Sequence, residues 1–405
     1  MQPQRFLRIL KVAVTIILLS LTLASSTWAA EYKILYKFQG DFDGWYPKPG
    51  LTFDAAGSLY GTTESGGAYM WYGTAFKLTP NPDGSWSHSV IHSFNQFDGS
   101  TPKFGMIFDA AGNLYGTTAG GGPGNGTVFK LTPNPDGSWS ENVIHSFTGN
   151  DGESPVSGLV FDDSGNLYGT TPSGGAYGYG TAFQLTPNPD GSWNETVLHS
   201  FNWSWKEGRG SLAGLILDAI GNLYGTASAG GAHDYGTVFK LTPNPDGSWS
   251  ESTIYSFGGA NGRWPQAGLA LDAAGNLYGT TSAGGAYDLG TVFKLTVNPD
   301  GTWTRSKLHT FKGPDGTIPN FIILDAAGNL YGTTARGGPY NCGTAFKLTP
   351  NPDGGWTMSK LHVFRGRPGD GCSPWCLTFD VAGNLYGTTF AGGKHENGVV
   401  FRITP

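Results

Sequence analysis

The groups able to do chemistry in this sequence sit singly in stretches that vary, while the rest of the chain repeats. Trp45, Tyr46, Trp71, Tyr72, Trp203, Trp205, Trp264, Tyr287 and Trp375 lie there, with Asp, Asn and His between them. Rings that are apolar on the face and polar at the edge stack on sugars and grip extended peptides, so the set reads as a binding surface. The competing reading is that each ring folds over its own loop. Lys48, Lys103, Gln266 and Asn320 add two cations and two amides. Acid–base catalysis would call on a histidine near a carboxylate. His233–Asp234 and His395–Glu396 are such neighbours, and Asp43, Asp98 and Glu207 are further carboxylates, but none of these forms a recognisable catalytic set. Asp-Gly pairs at Asp43, Asp98, Asp151, Asp315 and Asp370 fit turn capping; a calcium loop would need oxygen ligands at alternate positions, which are lacking. No catalytic set, metal set or cofactor is therefore assigned.

The elements that must position these groups are clear. Leu-Tyr-Gly-Thr begins at Leu59, Leu114, Leu167, Leu223, Leu277, Leu330 and Leu385, marking seven copies of a unit of about 54 residues. In the second copy, Gly105–Asp109, Leu114–Thr118, Gly126–Thr132 and Trp139–Phe147 are β-branched and aromatic runs separated by Gly, Pro, Asn and Asp, hence four strands and tight turns. Asn134-Pro135-Asp136-Gly137 has type I turn preferences and recurs at Asn81, Asn188, Asn244, Asn298 and Asn351. The Gly inside the second strand (Gly116 and its counterparts) implies close packing, expected between neighbouring units. A unit this short cannot bury a hydrophobic face alone. The last copy stops after a third strand at Pro405, and Tyr32–Phe38 matches a fourth strand. The expectation is an all-β, seven-bladed β-propeller over residues 31–405, of four-stranded antiparallel blades, closed by the N-terminal strand; the competing open solenoid would need capping units.

In a meander, the loops after second and fourth strands share one face, and this is where the sequence varies. All the candidate aromatics fall on it. Trp86, Trp139, Trp193, Trp249, Trp303 and Trp356 instead follow the repeated turn and read as structural, as does the fourth-strand position holding His92, His145, His199, His309 and His362. Lys48, Lys103, Gln266 and Asn320 precede first strands, which puts them at the mouth of the central channel.

Composition narrows the partners. With 13% charged residues and net charge −6, no basic surface suits nucleic acid. The 65 Gly and 25 Pro would suggest low complexity were they not periodic turn residues. Arg5, Arg8 and Lys11 precede the apolar run Val12–Leu23 and the small residues up to Ala29, so residues 1–29 read as a signal peptide. An uncleaved anchor is the alternative; after cleavage no stable membrane anchor is expected. Export permits disulfides. Cys342, Cys372 and Cys376 fall in neighbouring loops of one rim; one bridge with a leftover thiol is the simple reading, taken as Cys342–Cys372, against a three-cysteine metal site that lacks a nearby His.

The unit Gly-Leu-x-Phe-Asp-Ala-Ala-Gly-Asn-Leu-Tyr-Gly-Thr-Thr, followed by Gly-Gly and Gly-Thr-x-Phe-Lys-Leu-Thr-Pro, resembles the GloVer tandem repeat of bacterial exported proteins, over residues 31–405. Its first half is also similar to NHL-type and lactonase-like propeller repeats. The resemblance implies "choice-of-anchor" relatives with a C-terminal sorting segment; this chain ends inside a repeat, so free secretion or periplasmic residence is expected. It supplies no activity or catalytic residue. The functional expectation is a module that binds carbohydrate or another envelope component through the variable face. The alternatives are a glycan lyase, hydrolase or lactonase-like enzyme at the channel mouth, or a scaffold for protein partners.

Overall fold

A computed structural model describes residues 30–211 and 213–405; the leader read at 1–29 lies outside the described residues. In the second unit, Ile107–Phe108, Leu114–Thr118, Thr127–Pro133 and Trp139–Ser146 pair in that order as one antiparallel sheet. The same four-stranded sheet forms seven times, and the blades stand in a ring. The described residues contain no helix. Closure is as the strand count requires: Glu31–Lys37 joins Val399–Thr404 antiparallel, from Glu31 opposite Thr404 to Lys37 opposite Val399. The chain's first described strand thus hides what would be an open edge.

Three local expectations need correction. The inner strand is two residues long in most blades, not five. The segments before it crowd round the axis: a Cβ on Gly105 would fall on the carbonyl oxygen of Gly50 in the next blade. Where that Gly is absent, the inner strand runs unbroken, as Thr317–Leu324 and Gly371–Phe379. The latter strand contains Cys372 and Cys376, which therefore lie in a strand and not a loop. The second-strand Gly does not serve a neighbouring blade. Gly116 faces Phe129 of its own blade, and a Cβ there would stand 2.5 Å from the Phe129 ring. With no side chain in the way, that ring crosses the strand into the layer between blades, where it meets Phe94 edge-on at 4.9 Å.

Seven such layers make up the core. Between blades one and two, Tyr60, Ala75 and Phe94 face Met106, Leu114, Phe129 and Leu131, all buried. Tyr60 meets Phe108 and Trp139 edge-on, at 5.1 and 5.9 Å, so the Trp after the repeated turn is a packing residue. Each buried ring of this size contributes roughly 1.5–3 kcal/mol.

Hydrogen bonds from the two threonines of each Leu-Tyr-Gly-Thr-Thr set the geometry. The first reaches across to the next blade: Thr62 Oγ1 donates to the Phe104 carbonyl (2.8 Å), Thr117 to Ser157 (3.1 Å), Thr170 to Ala213 (3.0 Å) and Thr226 to Ala267 (3.1 Å). Thr280 reaches Asn320 (2.9 Å), Thr333 reaches Trp375, and Thr388 closes the ring on Lys48 (2.9 Å). In five blades the second threonine pairs with the one that opens the third strand, as Thr63 with Thr74 at 2.8 Å, and in blade seven Thr389 accepts from the Val399 amide. Blade four has Ala227 instead, which leaves the buried Thr237 hydroxyl without a partner among the described residues. Asp162 organises its turn by accepting from the amides of Ser164 and Asn166, the Asn166 side chain and the Tyr168 hydroxyl. Burial pushes its carboxyl up, but these donors outweigh it and hold the pKa below the ordinary 3.8. The same holds at the other six turns.

Two outcomes follow for folding stability. Ala227→Thr should raise stability by about 1 kcal/mol in denaturant unfolding, because it returns a partner to Thr237. Asp162→Asn should cost about 1–2 kcal/mol at pH 7. A lowered folded pKa contributes stability that is complete above the ordinary carboxylate value and lost as pH falls through the lowered one. The gap between the variant and the parent should therefore narrow as pH falls below the ordinary carboxylate value of 3.8; a gap that stays constant down through the acid range would show the loss to be unrelated to ionisation.

Candidate binding site at the channel mouth

The residue that follows the inner proline of each unit points to the axis. This position holds Lys48, Lys103, Val156, Gln266, Asn320 and Trp375 in six blades, and all of them line one cavity of about 330 Å³. Its floor is closed by Phe104 and Phe321, whose rings meet edge-on across the axis at 5.4 Å. These two rings fit because Gly158 and Gly268 stand beside them without side chains. The Thr-to-carbonyl ring described above holds the backbone directly beneath, so the mouth is built on fixed atoms.

The chemistry of the mouth is lopsided. Lys48 is only 5% exposed, and its ammonium pairs with one oxygen of Glu64. The Lys103 ammonium pairs with the other. Burial draws Lys48 below its ordinary pKa, with Glu64 opposing. Burial pushes Glu64 up, but the two lysines outweigh it and hold the carboxyl below its usual value. The Glu64 carboxyl is therefore ionised at neutral pH. Lys48 also faces the rings of Trp375 and Phe390, at 5.5 and 5.0 Å from their centroids. Across the cavity, the Asn320 amide donates to the Pro374 carbonyl at 2.7 Å. The Trp375 Nε1 is buried and has no acceptor among the described residues. Two cations against one carboxylate leave the mouth one positive charge in excess.

The other aromatics lie apart from the mouth, dispersed along the rim. Trp45 meets Trp71 edge-on at 5.8 Å, and Tyr46 stacks on Phe390 at 4.5 Å. Tyr72 packs against the layer between blades one and two. Trp203 and Trp205 are exposed and share a cleft with Arg209, His233 and Asp234; the Arg209 guanidinium lies 4.0 Å from the Trp203 ring. Trp264 carries Arg263 over its face, and Tyr287 is exposed. The carboxylates considered for catalysis are engaged elsewhere. Asp43 caps the amides of Gln39 and Gly40, Asp234 pairs with Arg209, and Glu396 pairs with Arg367. A disulfide joins Cys342 to Cys372. Cys376 is a free thiol that accepts from the Gly50 amide, and burial pushes its pKa up to about 12.

Reading the sequence alone misses Glu64, Val156, Phe104, Phe321 and Phe390. The signal was present for Glu64. The residue after Leu-Tyr-Gly-Thr-Thr is Ala119, Pro172, Ser282, Ala335 or Phe390 elsewhere, and Glu64 is the one charged residue at that position.

The model of the Gloeobacter/Verrucomicrobia repeat matches residues 18–164, 70–272 and 245–405. Among solved structures, the chain is similar to XC5397 of Xanthomonas campestris, described as a gluconolactonase important in glucose secondary metabolic pathways. The identity is 15%, the TM-score 0.44, and the match covers 95% of this chain and 92% of the other. No curated protein matches.

The buried pair makes the mouth's integrity testable. Glu64→Ala should cost about 3–5 kcal/mol in denaturant unfolding, because it strands a buried ammonium. Glu64→Ala with Lys48→Met should recover most of that loss; equal losses in both would mean that the carboxylate acts through packing alone.

Proposed function

We propose that this chain, which belongs to the Gloeobacter/Verrucomicrobia repeat family, is an exported module that binds a carbohydrate of the cell envelope or its surroundings at the channel mouth. The observation that supports this most is the set of groups gathered round one cavity: Lys48, Lys103, Gln266, Asn320 and an indole whose N–H lacks an acceptor among the described residues. An apolar floor, one flat aromatic wall and a few convergent polar groups are what a small saccharide needs. The excess positive charge favours a sugar bearing a carboxylate. The cavity volume lies at the small end of ligand pockets, enough for a terminal residue and not for an internal stretch of chain. Export is supported by the leader read at residues 1–29 and by the Cys342–Cys372 bridge. Hydrolysis is less favoured, because Glu64 is the carboxylate that reaches the mouth and both its oxygens are held by lysines.

The test is titration of residues 30–405 with neutral and uronate-terminated oligosaccharides, alone and with Lys103→Ala, Trp375→Ala and Trp203→Ala/Trp205→Ala variants. Saturable binding to uronates, weakened at least tenfold by either mouth substitution and little changed by the rim pair, is expected. Binding lost only with the rim pair would move the site to the blade-four cleft. Absence of binding across the set would end the carbohydrate reading and turn the search to protein partners.

A further inference from the structure

The outer edges of the blades meet in seven junctions, and the same three positions face one another at each. The first is the fourth-strand His or Tyr, turned toward the next blade by a bulge that recurs in that strand, as between Val143 and His145. The second is the acid of the loop that follows. The third comes from the next blade's outer strand, two residues beyond its Trp: His88, Glu141, Glu195, Glu251, Arg305 and Met358, with Tyr32 in the last blade. At four junctions the chain fills the space itself. Tyr32 stacks on His362 at 3.7 Å, and His88 stacks on Tyr36 at 4.5 Å. Met358 brings a thioether toward the blade five edge. Between blades four and five the His becomes Tyr255, the loop has no acid, and the third residue is Arg305. Its guanidinium bonds the Asn261 carbonyl and lies over the Tyr255 ring at 5.9 Å.

The other three junctions hold a second carboxylate and, at these three positions, no cation beyond the histidine. Between blades one and two, the ligand atoms of His92, Asp98 and Glu141 lie within 4.8 Å of one another; between blades three and four, those of His199, Glu207 and Glu251 do the same. Glu141 Oε1 and His92 Nε2 are buried and accept or donate no hydrogen bond among the described residues, although His92 Nε2 is 3.2 Å from Asp98 Oδ2. Two carboxylates this close are relieved by a cation between them or by a proton on one of them. Between blades four and five, where neither acid is present, the third position holds Arg305.

We infer that these two junctions each bind a divalent transition-metal ion of the zinc or manganese kind, through His92, Asp98 and Glu141 and through His199, Glu207 and Glu251. One imidazole nitrogen with two carboxylates suits such an ion better than Ca²⁺ or Mg²⁺, which take oxygen ligands in larger number. Three protein ligands leave positions for water. Each ion would clip two neighbouring blades at their outer edge, remote from the mouth.

Chelator-treated protein, residues 30–405, is titrated with ZnCl₂ and with MnCl₂ by calorimetry, and bound metal is counted by mass spectrometry after gel filtration. Two ions per chain and a rise in Tm on metal addition are expected. Glu141→Gln or Glu251→Gln should each leave one ion, the double variant none, and Glu195→Gln two. Circular dichroism of the metal-free variants confirms that they fold; should the glutamate variants fail, His92→Gln and His199→Gln replace them. Fewer than one ion per folded chain, or binding unchanged in the double variant, overturns the inference and leaves the junctions as proton-sharing contacts.

Discussion

The ring depends on one repeated hydrogen bond, from the first threonine of Leu-Tyr-Gly-Thr-Thr to a carbonyl of the next blade's inner segment. Hydrophobic layers hold neighbouring blades together but have no direction of their own. Edge-on aromatic contacts such as Tyr60 with Trp139 orient the layers at their outer side. Near the axis, side-chain area is scarce, and inner strands of two residues offer little ladder. There the hydroxyl of Thr62 or Thr388 fixes the next blade's main chain to within a hydrogen bond's tolerance. Repeated seven times without a gap, it leaves no blade with a free inner edge.

That constraint also decides where variation can be tolerated. The carbonyl that accepts from Thr388 belongs to Lys48, and the one that accepts from Thr333 belongs to Trp375. A residue whose backbone is pinned can change its side chain without disturbing the ring. Beside Lys103, Val156 and Gln266 the pinned carbonyl belongs to the next residue, Phe104, Ser157 or Ala267, so the mouth carries a lysine, an amide, a valine or an indole on or next to a fixed carbonyl. The rim aromatics settle onto local partners, as Trp203 does onto Arg209 and Trp45 onto Trp71.

Local pattern and counting carried much of this into the sequence. Strands, turns and the unpaired run at Tyr32 led to a closed seven-bladed ring, because each signal repeats and any error at one copy is outvoted by the rest. The failures concern direction. Gly116 announced a close approach but not that its neighbour was Phe129 of the same sheet. Lys48 and Lys103 could be placed at the mouth by their position before inner strands, whereas Glu64, which binds both, lies at the far end of a second strand. Phe104 and Phe321 meet only because blades two and six face each other across the axis, a relation that no linear spacing expresses.

The outer junctions show the same limit more sharply. His92 and Glu141 are 49 positions apart and each looks like an ordinary outer-strand residue. Read singly, the histidine is a packing position, and it does pack against Phe94. The group acquires meaning only when copies are compared in space. Between blades four and five all three members change together, to Tyr255, a loop without an acid, and Arg305. There two acids and an imidazole give way together to one guanidinium, which bonds a backbone carbonyl instead of a carboxylate. The repeat thus contains its own control: the junction that supplies an internal cation is the one that has given up the acids which would hold an external one.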